Sequence, residues 1–141
     1  MGQFFIFLMS FRFTTLSAGI FGLTGVALGA FGAHGLREVL ARQGSQHTWE
    51  LAVNYQLIHA LALLGAGLWL KFPAASAPKS ILWAARAWVV GILFFSGSLY
   101  GLALGGPRIL GPITPLGGIA FLIGWSCVIA AALKPEKPAQ N

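Results

Sequence analysis

Eight side chains set in otherwise apolar stretches have the chemistry to hold a proton, an ion or a polar ligand: His34, Tyr55, Gln56, His59, Ser96, Ser98, Tyr100 and Thr114. Two histidines raise metal or haem ligation, and serines in the same chain as a histidine raise nucleophilic catalysis. Neither pattern is completed. There is no aspartate, and the three glutamates, Glu38, Glu50 and Glu136, lie in polar segments. That excludes paired-carboxylate chemistry and leaves a Ser–His pair without its carboxylate. His59 falls roughly 12 Å inside its apolar stretch, counting 1.5 Å per residue, while His34 ends another, so the two are poorly level for one metal. The single Cys127 forms neither an intrachain disulfide nor a cysteine metal site. Glycine triplets in 19–35 look like a dinucleotide loop, but no strand precedes them. The expectation is a protein that is not an enzyme and has no cofactor and no metal.

The elements that position these residues are membrane spans. Of 141 residues, 57% are hydrophobic and 9% charged, and the mean hydropathy is +0.78, far from the roughly 25% charge of soluble domains. The length suits about four spans of roughly 20 residues in one domain. They are expected at 14–36, 51–70, 81–104 and 115–133, an all-α, integral membrane four-helix bundle running up-down-up-down with a Gly-rich first helix. The segment 37–50 reads as a loop outside the hydrocarbon. Trp83 and Trp88 read as interfacial anchors with Arg86 snorkelling beside them, and Thr114 as the capping hydroxyl before Pro115. Residues 1–12 read as an N-terminal extension, either an interfacial start to the first helix or a stretch preceding a true start at Met9. They have no basic n-region and no small-residue cleavage site.

The net charge of +6 is spread singly over loops, which argues for topology signals and against nucleic acid. Arg12, Lys71, Lys79, Arg86, Lys134 and Lys137 fall on one side and Arg37, Arg42 and Arg108 on the other. The excess places both termini in the cytoplasm.

In the first span Ala18, Gly22, Gly25, Gly29 and Gly32 share an arc of about 80°, a groove for a neighbouring backbone. Gly97 and Gly101 repeat the spacing in the third. The eight polar residues gather in the outer half of the bundle, with Tyr55, Gln56 and His59 on one face of the second span. Two readings follow: a small outward-facing pocket for a ligand, ion or proton, or hydrogen bonds between helices that orient the bundle.

Four segments carry a family resemblance: Gly-Ala-Phe-Gly-Ala-His at 29–34, Tyr-Gln-Leu-Ile-His-Ala-Leu-Ala-Leu-Leu at 55–64, Leu-Phe-Phe-Ser-Gly-Ser-Leu-Tyr at 93–100, and Thr-Pro-Leu-Gly-Gly at 114–118 with Phe-Leu-Ile-Gly-Trp at 121–125. In order and spacing the chain resembles domain-of-unknown-function family 423, the YgdD/YwdK-like small inner-membrane proteins, from about residue 13 to residue 133. The resemblance implies a four-helix bacterial inner-membrane protein and transfers no catalytic residue. It also favours a start near Met9, and all eight polar positions lie inside its motifs. The chain is therefore expected to be a non-enzymatic membrane component, an accessory or assembly subunit or a small homo-oligomer, whose partners are the lipid bilayer and another membrane protein or itself. The rival is a small transporter, channel or lipophilic-ligand-binding protein using a pocket around His59.

Overall fold

The computed structural model describes residues 2–71 and 79–133, with side chains from residue 11 onward. The 72–78 connection, which holds Pro73 and Pro78, and the tail with Lys134, Glu136 and Lys137 lie outside these. The elements are α1 (Gly2–Ala33), α2 (Arg37–Gln43), α3 (Gln46–Lys71), α4 (Lys79–Gly91), a π-helical turn (Ile92–Ser96), α5 (Gly97–Ala103), a short 3-10 turn (Arg108–Leu110) and α6 (Ile113–Ala132). Four stretches are long and apolar enough to cross a membrane: Phe11–Ala33, Gln46–Lys71, Lys79–Ala103 and Arg108–Ala132. In hydrocarbon a helix satisfies its own backbone groups, which is why a glycine-rich stretch stays helical here.

Several boundaries differ from expectation. The first helix begins at Gly2, so residues 2–13 continue it; no proline interrupts that stretch. The segment 37–50 is not a loop: Arg37–Gln43 forms α2, and α3 starts at Gln46. Helix-forming residues with one apolar anchor explain α2, because Leu40 is buried against Trp49, Val53 and Ala103. Gly44 closes α2 in the left-handed region at φ 63°, a conformation that costs a residue with a Cβ. The third span is broken by the π turn.

Consecutive spans pair most extensively, α1 on α3 and α4 on α6, while α3 lies against α4 and α5 between the two pairs. The glycine groove of α1 faces α3 of the same chain. A Cβ at Gly25 would meet Leu57 and Gln56, one at Gly29 would meet Val53, and one at Gly32 would meet the Trp49 indole. Gly22, at the other end of the stripe, meets open space. On α6, Gly117 brings the backbone of Phe95 close and Gly124 makes a slot for the Trp88 ring. Trp88 is therefore 2% exposed in the core, not an interfacial anchor. Trp83 is 60% exposed, and the Arg86 guanidinium lies 5.2 Å from its ring centre.

These contacts separate two kinds of glycine. Gly117→Ala forces a Cβ into main-chain atoms of the π turn and is expected to destabilise the fold by about 1–3 kcal/mol, the usual cost of overpacking. Gly22→Ala is expected to leave stability unchanged or raise it. Unfolding temperatures of both variants in the same mild detergent check the contrast.

Candidate functional site

The interior face of α3 presents Gln56 and His59, both buried; Gln56 holds two other elements and His59 holds one. Gln56 sits where Gly25 of α1 leaves room. Its Nε2 donates to the Phe21 carbonyl at 2.9 Å and to Thr24 Oγ1 at 2.8 Å, and its Oε1 accepts from the Tyr100 hydroxyl at 2.9 Å. One amide thus joins α1, α3 and α5.

His59 faces the other way, toward α6. Nδ1 lies 2.8 Å from the Tyr55 carbonyl, and Nε2 lies 3.2 Å from Trp125 Nε1. A carbonyl only accepts and an indole N–H only donates, so Nδ1 carries the proton and Nε2 presents its lone pair. The ring stacks on Phe121 with centres 3.6 Å apart, and Tyr55 tilts against Phe95 at 4.6 Å. A ligand that took the Nε2 lone pair would displace Trp125 from it.

A third clasp joins the third and fourth spans. The hydroxyls of Ser98 and Thr114 are 2.7 Å apart, and Ser98 Oγ reaches the Phe95 carbonyl at 3.0 Å. Thr114 is not a helix cap. Helix α6 begins one residue earlier, after Pro112, with no side-chain cap, because Ser98 offers the Thr114 hydroxyl a partner across the interface.

Six of the eight polar residues therefore fall into separate pairs, and two stand outside them. Gln56 meets Tyr100, Ser98 meets Thr114, and Tyr55 lies beside His59. His34 is exposed at the turn after α1. Ser96 is 0% exposed, yet its Oγ has no hydrogen-bond partner, like Trp88 Nε1 on the same span. Thr24, Trp49 and Trp125 complete the network without having been singled out by sequence. Trp49 was legible in principle, since 49, 53, 56 and 60 continue the buried face of α3 toward its N-terminus.

The glycines are likewise divided. Gly101 is covered by Leu110 of its own connection, while Gly97 meets open space. A cavity of about 410 Å³ lies beyond the clasps, between the end of α1, α2 and the start of α3, with Gly29 and Val53 in its lining.

A double-mutant cycle of Gln56→Leu and Tyr100→Phe is expected to give a coupling of about 0.6–1.7 kcal/mol, the range for hydrogen bonds between membrane helices. Equilibrium unfolding in detergent measures it. In the same assay Ser96→Ala is expected to stabilise the protein by about 1 kcal/mol, since it removes a buried unpaired hydroxyl, whereas Ser98→Ala is expected to destabilise it.

The family described as "Protein of unknown function (DUF423)" matches residues 28–118. The UPF0382 inner membrane protein YgdD of Escherichia coli (strain K12) is 37% identical over 132 residues, 92% of this chain and 95% of its own length. A UPF0382 membrane protein of Staphylococcus epidermidis is 47% identical over 109 residues, 77% of this chain and 85% of its own. The protein YwdK of Bacillus subtilis (strain 168) is 42% identical over 112 residues, 79% and 89% of the two chains. No solved structure matches. Four apolar spans, the motif order and relatives similar over most of their length together make this chain a membrane protein of the DUF423 (UPF0382) family.

Proposed function

We propose that this protein is a non-enzymatic component of the bacterial inner membrane with both termini in the cytoplasm. It acts through helix packing inside the bilayer, as an accessory or assembly subunit or as a small homo-oligomer. The observation that carries this reading is the state of α1. It is the least covered of the four spans, and Gly19 and Gly22 meet open space. A second helix can approach its backbone there as closely as α3 does on the opposite part of the stripe. The interior supports the same reading, because Gln56, His59, Ser98 and Thr114 spend their hydrogen bonds on one another's helices. The excess of Lys and Arg on the side of the termini supports the orientation. The name of the Escherichia coli relative, an inner membrane protein, supports the location.

Native mass spectrometry after gentle extraction from the protein's own membrane tests the proposal. A different protein at fixed stoichiometry, or a fixed number of copies of this chain, is the expected result. Gly22→Leu is expected to abolish that association while leaving the unfolding temperature unchanged. A clean monomer whose ligand-dependent stability disappears in His59→Ala and Tyr55→Phe would overturn it in favour of a transporter, channel or lipophilic-ligand-binding protein.

A further inference from the structure

The cavity of about 410 Å³ at the α2 end takes no part in the clasps. Its volume falls within the roughly 300–1,000 Å³ usual for small-ligand sites. It opens where α1 leaves its apolar window at Ala33 and α3 enters its own at Gln46, the depth at which lipid headgroups lie. On α1 the lining reaches Gly29, about 6 Å inside the helix end at 1.5 Å per residue, and on α3 it reaches Asn54. The polar lining comes from two elements: Arg37 of α2, and Gln46, Glu50 and Asn54 of α3. Glu50 and Asn54 are four residues apart and so neighbours on one helix face.

The charges in this lining are uncommitted. Arg42 pairs with Glu38 at 3.9 Å, both well exposed on α2, and neither Arg37 nor Glu50, which are exposed as well, takes part in that pair. Arg37 and Glu50 thus present a cation and an anion from different helices around one space. An anion alone leaves Glu50 unanswered, and a cation alone leaves Arg37 unanswered. A ligand that carries both charges answers the two together.

We propose that this cavity binds a zwitterion made of a phosphate and a primary ammonium, the headgroup chemistry of an aminophospholipid. The guanidinium of Arg37 offers paired N–H donors to two phosphate oxygens. The Glu50 carboxylate and the Asn54 side-chain carbonyl accept from the ammonium, which has three N–H groups to give. A trimethylated ammonium has none, so a choline headgroup leaves those acceptors unpaired. A glycerol headgroup offers hydroxyls but no charge to Glu50. The space holds a headgroup and leaves acyl chains in the surrounding bilayer.

This inference stands apart from the packing role: a bound lipid and a bound protein have different masses, so either reading can fail alone. The test is native mass spectrometry of the purified full chain titrated with short-chain phosphatidylethanolamine, phosphatidylcholine and phosphatidylglycerol. Phosphatidylethanolamine is expected to bind about tenfold tighter than the other two, the gain from one charge-assisted contact worth about 1.4 kcal/mol. Glu50→Gln is expected to bring it down to the phosphatidylcholine level, and Arg37→Gln to weaken all three lipids. Free phosphoethanolamine separates the sources: displacement of the lipid at millimolar concentration assigns the site to a soluble zwitterion, and failure to displace it assigns the site to the lipid. Equal binding of the three lipids would overturn the proposal. So would an unchanged preference in a Glu50→Gln variant with the parent's unfolding temperature.

Discussion

The contact of Trp49 with α1 holds the rest of the molecule in place. Its indole N–H donates to the Leu28 carbonyl at 3.0 Å, and its ring lies over Gly32, where any Cβ would collide with it. The carbonyl of residue 28 and the Cα of residue 32 lie on the same strip of a helix, so the bond and the glycine require each other. The ring also meets Tyr100 edge-on at 4.7 Å, and Tyr100 reaches Gln56. A single buried side chain thus links three of the elements and forms a wall of the cavity at the same end.

Lipid supplies no hydrophobic force between helices, so close packing and hydrogen bonds must hold them together. This chain uses both in pairs. The two most extensive interfaces have glycines that bring backbones near and a polar clasp that sets rotation: Gly25 with Gln56 between α1 and α3, Gly117 with Thr114 between the third and fourth spans. Between α3 and α6 there is no close backbone approach. There the gap is filled by rings, with His59 stacked on Phe121 and edge-on to Trp125. The unpaired Ser96 hydroxyl and Trp88 N–H lie at or near the π turn, so the third span bears the cost of accommodating neighbours on several sides.

Much of this was written in the sequence where a single periodicity decided it. Apolar length marked the four spans, and the stripe Gly25, Gly29, Gly32 marked the face that receives α3. What stayed hidden depended on the partner. Depth alone put eight polar residues at similar levels, but their direction around the helix axis separated Gln56, toward α1 and Tyr100, from His59, toward α6. Trp49 was hidden among polar neighbours, and the single buried Leu40 was too little to mark α2. Trp88 had the position of an anchor, and only the slot at Gly124 turned it inward. The π turn has no proline to announce it, and Thr114 had the spacing of a cap until Ser98 claimed its hydroxyl.

The most extensive pairings join spans that are neighbours along the chain. Each half is consequently a helical hairpin whose main contacts are complete once its second helix is made: the first by residue 71, the second by residue 133. Among the described residues, what stitches the halves together is a short set of bonds, Ser45 to the Ala103 carbonyl at 2.7 Å, Tyr100 to Gln56 and Trp125 to His59, with the packing of α3 on α4 and α5. In the order of synthesis the first hairpin can therefore close on its own contacts before any residue of the second exists, whereas every bond between the halves needs both.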